Sequence, residues 1–199
     1  MKPVLLLMLA ILSLSPAFAG DKKKSANTKT TAAASANEIQ WISLEELQQK
    51  MKKEPRKVYF DIYTDWCGWC KVMDKKTLTN PEVIKYMNSK YYAVKLNAER
   101  KDEISFMGKK FSFHGEYRAN MLAVELMRGQ MSYPTTVILE EDYMNPQPVP
   151  GYLDVTVMEK VLKFFGENYY KTKKYEDFEK SFVPQWKAAA NAEEADVKH

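Results

Sequence analysis

Lys57-Val-Tyr-Phe-Asp-Ile-Tyr-Thr-Asp-Trp-Cys-Gly-Trp-Cys-Lys71 is the stretch on which the reading of this chain turns. Val58, Tyr59, Phe60, Ile62 and Tyr63 make a β-branched and aromatic run of the length expected for a strand buried on both faces. It runs straight into Trp66-Cys67-Gly68-Trp69-Cys70-Lys71, and an apolar-periodic segment with Val72 and Met73 follows. A C-x-x-C at a strand-to-helix junction puts the first cysteine at a helix N-terminus. There the unpaired N–H groups and the helix dipole favour a thiolate. Cys67 and Cys70 are the only two cysteines in the chain. The pattern points to thiol–disulfide exchange.

The 199 residues suit one domain with extensions. Lys2, the apolar run Val4 to Leu14, and Ser15-Pro16-Ala17-Phe18-Ala19 give a charged region, an apolar region and an A-x-A cleavage site. Residues 1–19 therefore read as a secretory signal peptide cut after Ala19, with an uncleaved anchor as the bland alternative. No later stretch approaches a transmembrane helix, so no integral membrane segment is expected after cleavage, and the location is periplasmic or secreted. In an oxidising compartment two cysteines can form a plain structural disulfide. A bridge from Cys67 to Cys70, however, closes so small a loop that it constrains the unfolded chain little. The spacing favours chemistry.

Net charge is +4 over the whole chain. Four lysines and one aspartate of the segment 20–37 carry +3 of it, which leaves the rest close to neutral. No nucleic-acid partner is expected. Residues 20–37, rich in Lys, Ala, Ser and Thr without an apolar period, read as a disordered tether.

Ile39, Trp41 and Ile42 suggest a short first strand. Ser43-Leu44-Glu45-Glu46 is a capping box, continued by Leu44, Leu47 and Met51 on one face and ended before Pro55. The helix after Cys70 fades near Thr77, and Asn80-Pro81-Glu82 opens another with Val83, Ile84 and Met87 buried. Tyr91 to Asn97 reads as a strand and Asn120 to Arg128 as a helix closed by Gly129. A strand Ser132 to Leu139 enters through Pro134, a turn covers Glu140 to Pro146, and a short strand ends near Gly151. Asp154 caps a helix carrying Met158, Val161, Leu162 and Phe165. Tyr175, Phe178 and Phe182 suggest one more helical turn, and residues 187–199 a flexible tail. Alternating strands and helices argue α/β with a mixed sheet.

These residues resemble the thioredoxin family over roughly Trp41 to Gly166. The W-C-x-x-C-K block is Trp66 to Lys71. The family's buried strand aspartate matches Asp61, its strand lysine matches Lys95 in Lys95-Leu96-Asn97, its cis-proline matches Tyr133-Pro134-Thr135, and its late glycine matches Gly151. The resemblance implies a thioredoxin-like fold over 38–186, a central mixed β-sheet flanked by helices. It further implies that an exposed Cys67 is the nucleophile, that Cys70 resolves the mixed disulfide, and that Asp61 with Lys95 exchanges the proton of Cys70. Trp66, Gly68, Trp69, Tyr133, Pro134 and Gly151 would form the substrate surface, with the Tyr133 backbone open to an extended substrate strand. No cofactor is implied, and one histidine near two cysteines is too few ligands for a metal site.

Two departures from the family stand out. The dipeptide between the cysteines is Gly68-Trp69 rather than Gly-Pro, and Tyr133 replaces a smaller aliphatic residue. Between Asn97 and Pro134 the chain is also about twenty residues longer than a minimal thioredoxin, an insertion over 99–118. Within it, Ile104 to Phe113 alternates around Gly108-Lys109-Lys110 and reads as a β-hairpin before the cis-proline strand. The expected function is an exported thiol–disulfide oxidoreductase acting on protein dithiols and disulfides, reductase or isomerase ahead of oxidase, with a membrane-bound electron donor. A disulfide-forming oxidase and a non-catalytic binding or chaperone module are the alternatives.

Overall fold

Residues 37–187 are described by the computed structural model. The signal-peptide reading of 1–19, nearly all of the tether and the tail beyond 187 lie outside the described residues. The first strand, β1 (Lys57–Tyr63), has six buried residues and a half-buried Tyr63, the double-sided burial that its sequence calls for. It pairs in parallel with β2 (Tyr91–Asn97), Asp61 opposite Lys95. On its other side it pairs antiparallel with a third strand, Thr135–Leu139, Asp61 opposite Thr136. A last strand, Gln147–Pro150, closes one edge. Its two prolines, Pro148 and Pro150, suit an edge, where missing N–H donors cost least. The result is a four-stranded mixed sheet flanked by helices, the thioredoxin fold.

Alternate residues of β1 feed two cores. Val58, Phe60 and Ile62 pack with Leu44, Leu47 and Met51 of α1 (Leu44–Lys53) and with Leu122 and Leu126 of a short later helix, Met121–Leu126. Tyr59 packs on the other side with Met73 of α2 (Gly68–Lys76), Val83, Ile84 and Met87 of α3 (Pro81–Lys90), and Met158 and Leu162 of the helix Val155–Gly166. The caps read from sequence are made: Ser43 accepts the Glu46 N–H, Asn80 those of Glu82 and Val83, and Asp154 that of Val157.

Three expectations need correction. Ile39 to Ile42 forms no strand, only a single bridge between Trp41 and Ala93, because Trp41 hydrogen-bonds back to Ile39 in a local turn. The strand after Pro134 begins at Thr135 rather than Ser132, since Ser132 is occupied by a turn with Thr135. The inserted hairpin does form, β3 (Ile104–Phe106) against β4 (Lys109–Phe111), but its turn is Met107-Gly108, one residue earlier than Gly108-Lys109-Lys110. Both turn residues have positive φ, 51° and 75°, as a tight two-residue hairpin requires. Ile104, Phe106 and Phe111 are buried in the α1-side core, so the insertion is packed on the body. A second small pair, β5 (Phe113–His114) with β6 (Ala119–Asn120), follows it and was not anticipated.

The C-terminal segment is also more ordered than its sequence suggests. Glu159, wholly buried, accepts the backbone N–H groups of Gln185 and Trp186 at 2.9 and 2.8 Å and pairs with Lys163 at 2.7 Å. That clasp fixes Trp186 against Tyr86, their ring centroids 5.4 Å apart.

Candidate active site

Strand β1 ends at Tyr63, whose carbonyl accepts the Ala98 N–H, and the chain turns through Thr64 to Cys67. The Cys67 N–H donates to the Thr64 carbonyl at 3.2 Å, which sets Cys67 as the N-cap of α2. A disulfide joins Cys67 to Cys70. The Cys70 backbone N–H donates to Cys67 Sγ at 3.0 Å, so one of the orphan donors of the helix start points at this sulfur. The helix start of α2 contains no acidic residue in its first turn to compete for those donors. Such a placement lowers a thiol's pKa when the disulfide is open.

Cys67 is not exposed, as the sequence suggested, but retains 3% of its accessible surface, and Cys70 retains 4%. The aromatic side chains around them do the exposing: Trp66 is 67% and Trp69 61% accessible. Trp66 packs edge-on against Tyr133 with centroids 5.8 Å apart, and Trp69 leans on Tyr152 at 5.4 Å. Gly68, exposed between the cysteines, has open space where a side chain would stand.

The Tyr133–Pro134 peptide is cis. Pro134 is buried, and its carbonyl accepts the Gly151 N–H at 2.8 Å, which ties the edge strand's end to the proline. Gly151 has φ +94°, a conformation that a residue with a Cβ adopts only under strain.

On β1, Asp61 is 1% exposed and its Oδ2 meets Lys95 Nζ at 2.7 Å. Burial pushes the Asp61 carboxyl above the usual range, with Lys95 pulling it down and Asp74 pushing it up. Burial works against the Lys95 charge, but Asp61 and Asp74 together hold its pKa above the ordinary value. The Lys95 ammonium also stands over the rings of Trp41 and Tyr63, 5.0 and 5.3 Å from their centroids. The structure therefore brings Asp61 and Lys95 together, Cys67 and Cys70 together, and Tyr133, Pro134 and Gly151 into one hydrogen-bonded and stacked cluster with Trp66.

Sequence reasoning passed over three residues. Asp74, the second carboxylate on Lys95 at 2.5 Å, lies four residues after Cys70, so helical spacing alone puts both on one face of α2. Tyr152, the partner of Trp69, adjoins the glycine already singled out. Thr64 is 1% exposed, and no pattern in the sequence marks it.

Residues 22–166 match the model of the Thioredox_DsbH family, described as a protein of unknown function, DUF255. The chain belongs to this family. Among curated relatives of this Thioredox_DsbH-family chain, a 42-residue stretch is 48% identical to the thiol:disulfide interchange protein DsbD of Haemophilus ducreyi, covering 21% of this chain and 7% of that protein. The uncharacterized protein B0495.5 of Caenorhabditis elegans is 24% identical over 116 residues, covering 58% of this chain and 14% of that protein. The chain thus spans only a small part of either relative. Among solved structures, a DsbH oxidoreductase superposes with a TM-score of 0.48 at 15% identity, covering 74% of this chain and 94% of that one. Family membership and the Cys67–Cys70 pair support a thiol–disulfide oxidoreductase-type function. Among the described residues, no helix is long and apolar enough to cross a membrane.

Proposed function

We propose that this chain is an exported oxidoreductase that exchanges disulfides with protein substrates, working in the reducing or isomerising direction. The observation that carries the proposal is the 3.0 Å hydrogen bond from the Cys70 N–H to Cys67 Sγ at the start of α2. A sulfur so held is stabilised as a thiolate, the form that attacks.

In the dithiol state the Cys67 thiolate attacks one sulfur of a substrate disulfide. The other substrate sulfur leaves as a thiolate and takes up a proton, and a mixed disulfide joins Cys67 to the substrate. Cys70 then gives its proton to Asp61 and attacks Cys67 Sγ. The substrate's second sulfur leaves as a thiolate, takes up the proton held by Asp61, and the Cys67–Cys70 disulfide forms, so two electrons have passed to the substrate. Asp61 suits the proton step because its raised pKa brings it closer to that of a thiol. Trp66, Trp69, Tyr133 and Tyr152 give the substrate chain an aromatic surface, and the Tyr133 backbone, next to a proline without an N–H, offers strand-like pairing. Repeated turnover outside the cytoplasm needs electrons from a membrane-bound donor. Export itself is supported by the leader pattern of residues 1–19.

The test is a trapping experiment with Cys70→Ala in the exporting cell. The expected result is stable mixed disulfides through Cys67 to several exported proteins, abolished by adding Cys67→Ser. Unaltered biological activity of Cys67→Ser would favour a non-catalytic binding module instead. The reduction potential of the pair decides direction: a value at the oxidising extreme, near −120 mV on the scale of disulfide-forming enzymes, removes the reductase reading in favour of an oxidase.

A further inference from the structure

The Trp66 end of the aromatic surface carries two carboxylates that the exchange reaction does not use, those of Asp65 and Glu99. Asp65 directly precedes Trp66, whose ring is 67% exposed and packs edge-on against Tyr133 at 5.8 Å. Burial raises the Tyr133 phenol above its ordinary pKa and the charge of Glu99 adds to that rise, which puts Glu99 within electrostatic reach of the same ring. One side chain ties the two acidic residues together. Asn97, the end of β2 and the partner of Tyr63 on β1, donates from Nδ2 to Asp65 at 3.1 Å and accepts the Glu99 N–H at 2.9 Å. The basic residues that follow Glu99 are engaged elsewhere: Arg100 pairs with Asp102, and Lys101 stands over the Phe113 ring. Among the described residues, no lysine or arginine forms an ion pair with Asp65 or Glu99. Two negative charges and an exposed indole are thus left open to an incoming group beside Cys67.

We propose that this corner selects protein substrates in which an arginine or lysine stands within two residues of the disulfide cysteine. The inference rests on the proposed exchange reaction and names its substrate class. An extended chain advances about 3.3 Å per residue, so a side chain one or two residues from a cysteine joined to Cys67 stays beside Trp66 and Asp65. A guanidinium there can lie on the indole while its N–H groups reach a carboxylate, and an ammonium is drawn by the same ring and charges. An acidic side chain in that place meets two like charges. Selection therefore comes from attraction and repulsion together. Asp65 and Glu99 determine specificity, and Asn97 positions them.

The test is single-turnover reduction, by the purified dithiol chain, of peptides closed by one disulfide that differ only in having Arg, Gln or Glu beside each cysteine. Neighbouring charge also alters how readily a cysteine departs from any attacker, so each rate constant is divided by that for dithiothreitol. The expected order is Arg, then Gln, then Glu, with Arg ahead of Glu about tenfold at about 0.05 M salt and less than about threefold at about 0.5 M. In Asp65→Asn/Glu99→Gln the ratio should fall to within about twofold, and in Asp65→Asn/Glu99→Lys the Glu peptide should become the faster one. The amide of Asp65→Asn still accepts from Asn97, and the Glu99 bond to Asn97 is made by its backbone, so these variants change charge and keep the local bonds. Equal wild-type rates on the three peptides, a preference that salt leaves unchanged, or one that the double variants retain overturns the proposal. A wild-type chain that reduces none of the peptides faster than dithiothreitol does overturns the exchange reading itself, and this inference with it.

Discussion

Lys95 Nζ stands 2.7 Å from Asp61 Oδ2, and the same ammonium meets Asp74 on α2, so one cation joins β1, β2 and the redox helix. The carboxylate at the buried end of this chain has 2% of its side chain exposed, and the one at the outer end has 44%. Charge is therefore dispersed from the core outward. In the proposed exchange the inner carboxylate is the proton acceptor, and the outer one helps to hold the lysine charged.

Asp61→Asn removes the proton acceptor without changing the shape of the side chain. Loss of a positioned acid or base typically costs at least about a hundredfold in the step it serves. Decay of a preformed Cys67 mixed disulfide should slow by about that factor at neutral pH, while the first attack by Cys67 changes little. Stability should move the other way. A carboxyl raised by burial binds more protons folded than unfolded, so the disulfide form loses stability as pH rises from the ordinary aspartate value through the folded one. Asp61→Asn should flatten that decline and unfold at higher denaturant concentration near neutral pH. Equal pH dependence in the two proteins would refute the assignment.

The two neighbours of Asp61 act on it with opposite sign. Lys95 lowers its pKa and Asp74 raises it. Asp74→Asn should shift the acid limb of the pH–rate profile for mixed-disulfide resolution to lower pH, and Lys95→Met should shift it to higher pH. Stopped-flow release of a fluorescent substrate thiol over a pH series measures both. Shifts in one common direction would show that the limb belongs to another group.

The sheet, the caps and the cysteine pair were legible because each rests on local signals: a double-sided apolar run, Ser43, Asn80 and Asp154 before helices, and a C-x-x-C after a strand. The thioredoxin resemblance implies an exposed Cys67, but the side chain is buried. Its burial is a property of tertiary packing, which no local pattern carries. Asp74 was within reach of helical spacing from Cys70, but nothing local says that Lys95 of a neighbouring strand reaches it. Thr64 carries no pattern at all, since its burial is a property of packing. The clasp of Glu159 on Gln185 and Trp186 is hidden for the same reason: a glutamate in an amphipathic helix reads as a surface residue until its burial is known.

Gly151 joins the edge strand to the cis-proline through its N–H, and it does so at φ +94°. A Cβ there meets no atom within 4 Å, so Gly151→Ala tests backbone strain rather than a clash. The expected cost is about 1–2 kcal/mol in equilibrium denaturation. Gly166→Ala, by contrast, brings its Cβ to 2.7 Å from the Tyr86 hydroxyl and 3.1 Å from that of Tyr91. Tyr91 is anchored by its bond to the Leu162 carbonyl, so part of that clash cannot be relieved by rotation. Gly166→Ala should destabilise the fold without touching the redox site, whereas Gly151→Ala should also slow exchange with protein substrates, because it loosens Pro134. Equal exchange rates in the two variants, measured under conditions where both are folded, would detach Gly151 from the substrate surface.

The inserted hairpin sends Phe106 onto the central strand, its ring edge-on to Phe60 with centroids 6.2 Å apart, and both side chains are buried. A surface elaboration that recruits partners would leave such a ring accessible. This one instead completes the core beneath α1, where Gln48 also accepts the Met107 N–H and donates to the Ser105 carbonyl. Phe106→Ala leaves a cavity in a packed interior and should cost about 3–5 kcal/mol, enough to threaten a domain of this size. Met107, 48% exposed at the hairpin tip, is the control: Met107→Lys should change stability by less than about 0.5 kcal/mol. In the folded fraction both variants should reduce a model protein disulfide at the wild-type rate. A Phe106→Ala protein of normal stability, or a Met107→Lys protein that exchanges disulfides slowly while fully folded, would turn the insertion from a piece of core into a contact for substrates.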